Sequence, residues 1–286
     1  MKKVTYILKS FPVLSQTFVI DQINNLIEND YDVRIVSLSQ EKVDEKIQSS
    51  ISKFNLLERT EFIYTGKGKL GKLARLIFII VFSLFTVIRA KSVIALAFHL
   101  VKARDFKNAV NSLRLYHFLS CNTQLSEAHK KGVFIAHFGQ FGVITQSAID
   151  TGVITGKLLT VFHGYEMSEH EQIKIWKTRY VGLCKGNNQL LPISDFWKKR
   201  LIEWGASEEH VSVLHMGVDT QSLPFQPKPL KNIINILTVA RATEKKGLTY
   251  AFEAVSLGLS FPYEYNYIGN GQLVQQLKDQ VEQANT

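Results

Sequence analysis

KKVTYILKSFPVLSQTFVIDQINNLIENDYDVRIVSL, residues Lys2–Leu38, is the stretch that decides the fold. Val4–Leu8 is a short apolar run with strand character. Phe18, Ile20, Ile23, Leu26 and Ile27 then recur at roughly helical spacing up to Asn29, with Ser15 as the expected N-cap. Asp32–Leu38 reads as a second strand. A strand, a helix and a strand in this compass imply a parallel pair joined by a right-handed crossover. The basic start Met1-Lys2-Lys3 has the charge of a signal-peptide head. The apolar run behind it falls short of the usual core of about 7–15 residues, so a strand is the better reading.

The same alternation returns downstream. Val133–His137, Leu158–Phe162 and Leu190–Ile193 read as strands, with a helix at Val143–Ile149. Ser194 caps a helix running to Trp204, Gly205 ends it, and Val211–Leu214 reads as another strand. Thr220–Asn232 holds three of the six prolines, a linker signature. A second unit follows: strand Ile233–Val239, helix Lys246–Leu257, strand Tyr263–Ile268 and helix Gly271–Ala284. The expected class is α/β, with an N-terminal Rossmann-like domain over 1–219, a linker over 220–232 and a partial C-terminal domain over 233–286.

Composition bounds the function. The 286 residues are 45% hydrophobic and 21% charged, ample for packed cores and unlike a disordered chain. Two cysteines, Cys121 and Cys184, give neither a disulfide framework nor a cysteine zinc site, which fits a reducing, cytoplasmic location. The net charge of +9 is concentrated: Phe62–Arg104 holds no Asp or Glu but carries Lys67, Lys69, Lys72, Arg75, Arg89, Lys91, Lys102 and Arg104. Within it, Leu76–Ile88 is uncharged, a helix of about 20 Å against a hydrocarbon core of about 30 Å. The segment 66–104 therefore reads as a helical insertion that lies on a bilayer, its basic residues meeting anionic head groups. The competing readings are a pair of buried core helices and, less favoured by length, a spanning helix. No basic cluster interleaved with aromatics suggests nucleic acid.

Several motifs fail on inspection. Gly66-Lys67-Gly68-Lys69-Leu70-Gly71 satisfies G-x-G-x-x-G, but no acidic residue follows before Asp105 to hold a ribose. Gly71-Lys72 lacks the Ser or Thr of a phosphate-binding loop, since Leu73 comes next. The eight histidines have no metal-ligand spacing, and no serine-hydrolase elbow is present.

Other motifs hold together. Lys9–Phe18, Ala136–Gly139 and Phe162–Glu166 would all lie at the carboxyl ends of strands, where open α/β sheets bind ligands. His137 and His163 are candidates there. Downstream, Arg241 and Lys246 beside a helix N-terminus suit a diphosphate, and Gly269-Asn270-Gly271 leaves room for a ligand against bare backbone.

Taken in order, SFPVLSQTFVIDQINNL, AHFG, FHGYE, PISDFWKKRLIEWGA, VLHMGVD, VARATEKKGL and YIGNGQL resemble the GT-B glycosyltransferases of family 4. The likeness is to bacterial enzymes building exopolysaccharide, colanic-acid or O-antigen chains. It spans most of the chain except roughly 40–125. The resemblance implies two Rossmann-like domains facing a cleft, and a retaining transfer of sugar from a nucleotide-sugar co-substrate to a polysaccharide or lipid-linked acceptor. It implies no other cofactor and no metal.

Arg241 and Lys246 match the family's R-x-x-x-x-K-G pair on the donor diphosphate, and Gly269, Asn270 and Gly271 its nucleotide-side loop. His163 matches the histidine near the transferred sugar, making His163, Arg241 and Lys246 the catalytic candidates. Ser10, Phe11, Ser15, His137, Gly164 and Glu166 fall on the acceptor side; Glu166 stands where the family often has Asp. The implied location is peripheral, at the inner face of the cell membrane. The family's second domain continues beyond the point that Thr286 reaches, so the expectation is a shortened C-terminal domain. The alternative is a non-catalytic remnant or partner subunit that binds acceptor or membrane.

Overall fold

The computed structural model describes residues 2–63, 68–121, 125–217, 220, 225–227, 229 and 232–284. The chain divides into two compact units, Met1–Val218 and Asp219–Thr286. Most of the proline-rich stretch and the Gly66-Lys67 start of the failed nucleotide motif lie outside the described residues.

The first unit runs β1 (Lys3–Leu8), α1 (Thr17–Glu28), β2 (Asp32–Ser37), α2 (Glu45–Ser52), β3 (Thr60–Phe62), α3 (Gly68–Phe85), α4 (Val87–Lys102), α5 (Phe106–Cys121) and α6 (Glu127–Lys130). It continues with β4 (Val133–His137), α7 (Gly139–Ile149), β5 (Lys157–Phe162), α8 (Tyr165–Ser168), α9 (His170–Cys184), β6 (Gln189–Pro192) and α10 (Asp195–Glu203). The strands form one parallel sheet in the order β3-β2-β1-β4-β5-β6. That is a doubly wound order, and it reverses direction between β1 and β4.

Pleating sends alternate residues of β1 to opposite faces. Val4, Tyr6 and Leu8 join Val19, Ile20 and Ile23 of α1 and Ile47 and Ile51 of α2 on one face. Ile7 joins the other face, with Leu96 and Leu100 of α4, Leu115 of α5, Phe141 and Ile144 of α7, and Trp176 and Tyr180 of α9. Both faces are covered, which is why the strands read as nearly unbroken apolar runs.

Two local expectations in this unit are corrected, and a third is refined. Ser15 does not cap α1: it lies in a 3-10 turn at Leu14–Gln16, and Gln16 holds the N-cap position without a side-chain bond. Val211–Leu214 is not a regular strand: Val211 bridges Leu190, and the Ser212 and Leu214 N–H groups bond the Leu190 and Pro192 carbonyls at 3.1 and 2.8 Å, so the segment runs alongside β6 without forming a full ladder. The apolar insertion is two helices that break at Thr86, whose hydroxyl turns back to the Phe82 carbonyl. Ser194 does cap α10, accepting from the Trp197 N–H, and Gly205 follows at φ 98°.

The second unit pairs β7 (Ile234–Val239) with β8 (Tyr263–Ile268) in parallel, joined through α11 (Leu248–Ser256) and followed by α12 (Val274–Ala284). Its small core is Ala242, Leu248 and Leu277, with Phe252, Tyr267, Leu273 and Val274 against it. The expected helix from Lys246 begins only at Leu248. Glu244–Lys246 is a separate 3-10 turn, closed by Gly247 in a left-handed conformation that breaks the helical path.

Trp176 tests the packing of the first unit. It is fully buried, stacks on Tyr180, and donates its indole N–H to Asp105 at 3.2 Å. Trp176→Ala is expected to cost about 3–5 kcal/mol. Urea unfolding should show this as a lower midpoint with an unchanged slope.

Candidate active site

The reversal point of the sheet places three loops side by side. The carboxyl end of β1 leads into Lys9–Val13, that of β4 ends at His137, and that of β5 at Phe162 and His163. Ser10 Oγ lies 2.8 Å from Ser39 Oγ, and the Phe11 N–H bonds the Ser39 carbonyl at 3.1 Å, pinning the first loop to the chain after β2. Phe11 is buried beneath that loop, whereas Ser15 is exposed.

His137 and His163 meet directly. His137 Nδ1 is 2.9 Å from His163 Nε2, and their rings stack at 5.2 Å. His137 is 1% exposed and so stands behind the half-buried His163, without lining an open surface itself. Its Nε2 is 3.0 Å from Gln22 Oε1, and Tyr6 donates its hydroxyl to the same oxygen at 3.0 Å. Phe18 and Phe138 flank His163, at centroid distances of 5.0 and 4.5 Å.

Glu166 is wholly buried. Its Oε1 accepts the His163 N–H at 3.0 Å and the Gly139 N–H at 3.2 Å, so one carboxylate ties the β4 and β5 loops together. Glu166 was expected to line the acceptor side; burial puts it beneath the site as its brace. Loss of water raises its pKa, against the lowering effect of these backbone donors. Gly164 sits at φ 84° under the Trp197 indole, where a Cβ would collide.

Between the two histidine loops, Phe138 holds φ 71° and ψ 137° at the N-cap of α7. A non-glycine residue there stores strain on the order of 1–3 kcal/mol. The chain is held by the Phe138 N–H to the Val161 carbonyl at 2.8 Å and by the Phe141 N–H to the Phe138 carbonyl at 3.0 Å. Gln22 and Phe138 are site residues that the motif reading covers without singling out, since they lie inside SFPVLSQTFVIDQINNL and AHFG. Gln22 sits among the helical positions of α1, and backbone strain leaves no mark on residue type.

In the second unit, the loops after β7 and β8 are joined. The Ala242 N–H bonds the Asn270 carbonyl at 2.9 Å, and the Leu273 N–H bonds the Ala242 carbonyl at 3.1 Å. Arg241 and the Gly269-Asn270-Gly271 turn thus share one edge, at the carboxyl ends of two parallel strands. Arg241 and Lys246 are exposed there. Gly269 admits no side chain, because a Cβ would strike the Ala240 carbonyl oxygen.

Burial lowers the pKa of His137 to about 3, with the neighbouring His163 adding to the effect, and that of His163 to about 4. Both are neutral at pH 7. Their unfolded-state values lie near 6.5, so below that pH the unfolded chain binds protons that the folded chain refuses. Stability contributed by the pair is complete above about pH 6.5 and is lost as pH falls toward 3–4. Relative to a His137→Asn variant, the wild type should show a steeper loss, approaching about 1.4 kcal/mol per pH unit. Denaturant titrations of both proteins between pH 7 and pH 4 measure the difference.

No family model matches the chain. Curated relatives do. A protein of Escherichia coli (strain K12) that bears the name colanic acid biosynthesis glycosyltransferase WcaL is 33% identical over 296 residues, covering 98% of this chain and 67% of the relative. The amylovoran biosynthesis glycosyltransferase AmsK of Erwinia amylovora is 31% identical over 281 residues, covering 96% and 66%. The chain thus spans about two thirds of the length of these relatives.

Among solved structures, Anabaena HepE in complex with UDP and glucose aligns with a TM-score of 0.61 at 14% identity, over 100% of this chain and 67% of that one. The apo lipopolysaccharide outer core galactosyltransferase WaaB aligns at 0.57 and 12%, over 99% and 65%. These likenesses show the GT-B-like α/β fold. With sequence identity of this extent along nearly its whole length, the chain belongs to the family of bacterial exopolysaccharide glycosyltransferases that includes WcaL and AmsK.

Proposed function

We propose that this chain transfers a sugar from a nucleotide-sugar donor to a saccharide or lipid-linked acceptor, with retention of anomeric configuration, as a family 4 enzyme. The observation that carries the reading is the joined edge of the second unit. There Arg241 and the Gly269-Asn270-Gly271 turn are held by the Ala242–Asn270 hydrogen bond, inside motifs that resemble those of family 4 glycosyltransferases. Arg241 and Lys246 hold the donor diphosphate and stabilise the negative charge that grows as the bond from the anomeric carbon to phosphate oxygen breaks. The acceptor hydroxyl oxygen bonds that carbon, its proton is released, and the nucleoside diphosphate departs. Bare backbone at Gly269 and Gly271 lets the nucleotide approach closely. His163 serves the transferred sugar, and the Ser10–Ser15 loop serves the acceptor. HepE, the structural neighbour, was solved with UDP and with glucose, which supports a donor of this class.

Thermal melts with UDP, GDP, ADP, CDP and their sugars test the donor site. A ligand at a hundredfold excess over its Kd adds about 2.7 kcal/mol to the folded state. One nucleotide should raise the midpoint, and Arg241→Ala or Lys246→Ala should abolish that rise without lowering the unliganded midpoint. Absence of a rise with every nucleotide would favour the non-catalytic reading, a chain that binds acceptor or membrane alone.

We further propose a peripheral location at the inner membrane face. Along α3, Leu70, Leu73, Ile77, Phe78, Val81 and Phe85 are all more than half exposed, while Ile79 and Ser83 face inward. Lys69 and Lys72 at the start of the same helix and Arg89 and Lys91 at the start of α4 are exposed as well. By contrast, Ala90, Val93, Leu96 and Leu100 bury the inner side of α4. The insertion thus shares features of both sequence readings: α4 packs as a core helix and α3 leaves an apolar face open. No described helix is long and apolar enough to cross a membrane. An exposed apolar helix face in a segment rich in exposed cations and free of acidic residues fits the interface of an anionic bilayer. The protein should float with vesicles containing phosphatidylglycerol and stay behind with pure phosphatidylcholine. A Phe78→Glu/Phe85→Glu variant should lose flotation while keeping its melting midpoint.

A further inference from the structure

The pair His137–His163 is held in one direction by Gln22, a residue to which the sequence reading gave no role. We infer that Gln22 is a positioning residue that, acting through His137, fixes the tautomer of His163 so that its Nδ1 stands bare as a hydrogen-bond acceptor for a sugar hydroxyl. The sugar part of this statement rests on the glycosyltransferase reading above; the tautomer part does not.

The argument follows the protons. Gln22 Oε1 is an amide oxygen and can only accept. It receives the Tyr6 hydroxyl at 3.0 Å and lies 3.0 Å from His137 Nε2, so that nitrogen carries a hydrogen. A neutral imidazole has one N–H, which leaves His137 Nδ1 as an acceptor. Facing it at 2.9 Å is His163 Nε2, which must therefore donate. The one remaining nitrogen of the pair, His163 Nδ1, is left without a hydrogen. It accepts no hydrogen bond from the described residues, and its ring is held between Phe18 and Phe138. Burial, which keeps both rings neutral, supports the same assignment.

Without Gln22 the chain of bonds loses its polarity. A hydrogen bond between two neutral imidazoles can run either way, and His163 would then present a donor part of the time. Reversing the Gln22 amide would likewise reverse every step and leave Nδ1–H outward. The arrangement therefore makes a definite spectroscopic claim about an amide orientation and two rings.

Long-range proton–nitrogen correlation spectra of the full chain, labelled with nitrogen-15 histidine, decide it. The signals are identified by their loss in His137→Asn and His163→Asn. Both rings should be Nε2–H tautomers in the wild type and in Gln22→Glu, whose carboxylate also accepts. Gln22→Leu should give a mixed or reversed His163 signal. A wild-type His163 in the Nδ1–H form overturns the inference, whether or not Gln22→Leu folds, as does a Gln22→Leu spectrum identical to the wild type.

In turnover assays with the nucleotide sugar found by melting, Gln22→Leu should lower kcat about 10- to 100-fold, the scale of loss when the hydrogen-bond partner that orients a metal-bound histidine is removed. KM for the donor should be unchanged and Gln22→Glu should restore the rate. An unchanged kcat with altered tautomers would overturn the assigned role of the histidine toward sugar. A chain that binds no nucleotide would overturn the transferase reading and leave the tautomer result standing.

Discussion

Val4–Ile7 of β1 pair in parallel with Val133–Ala136 of β4, although everything from α1 to α6 lies between them in sequence. The other edge of β1 pairs with β2. A strand bonded on both sides can send successive connections to opposite sides, and the right-handed crossover rule then puts α1 and α2 on one face and α7 and α9 on the other. Loops from adjacent strands diverge only at this reversal, opening a crevice at the carboxyl ends. The place of His137, His163 and the Lys9–Val13 loop follows from that pairing.

What stands in the crevice is set by buried polar groups that could not persist singly. A carboxylate wholly out of water is costly unless donors meet it. Glu166 Oε1 is met by two backbone N–H groups, which belong to the two histidine loops, while Oε2 is buried without a partner among the described residues. The bonds that offset part of that cost also fix where the histidines sit. Phe138 shows the converse: its unfavourable backbone is held by the bonds on either side, and the tension lies between the same two loops.

The distribution of charge has a structural counterpart. The acid-free run from Phe62 to Arg104 folds as α3 and α4, of which α4 packs inward and α3 leaves an apolar face beside lysines and arginines. In the second unit, the face of β7–β8 bearing Tyr265 and Tyr267 packs on Phe252, while Leu237, Val239 and Ile268 on the other face are more than half exposed. Parallel strands ordinarily bury both faces. The Arg241 and Gly269-Asn270-Gly271 loops lie at the carboxyl ends of these strands, joined by the Ala242–Asn270 hydrogen bond.

The sequence by itself determined the strands near the site, because Val133–His137 and Tyr263–Ile268 are local apolar runs whose ends are marked by His or Gly. It determined the cap at Ser194 and the concentration of charge for the same reason: each depends on neighbours a few positions away. Motif identity likewise singled out His163, Arg241 and Lys246 as candidates. Local pattern misplaced Ser15 and the start of α11, where 3-10 turns precede the helices and no residue type distinguishes one kind of turn from the other. Only the tertiary structure decided that Glu166 is a buried brace, that His137 stands behind His163, and that Gln22 reaches both His137 and Tyr6. Gln22 and His137 are separated by most of the unit and meet because α1 packs over the junction of β1 and β4, a relation between distant segments that spacing along a chain does not encode.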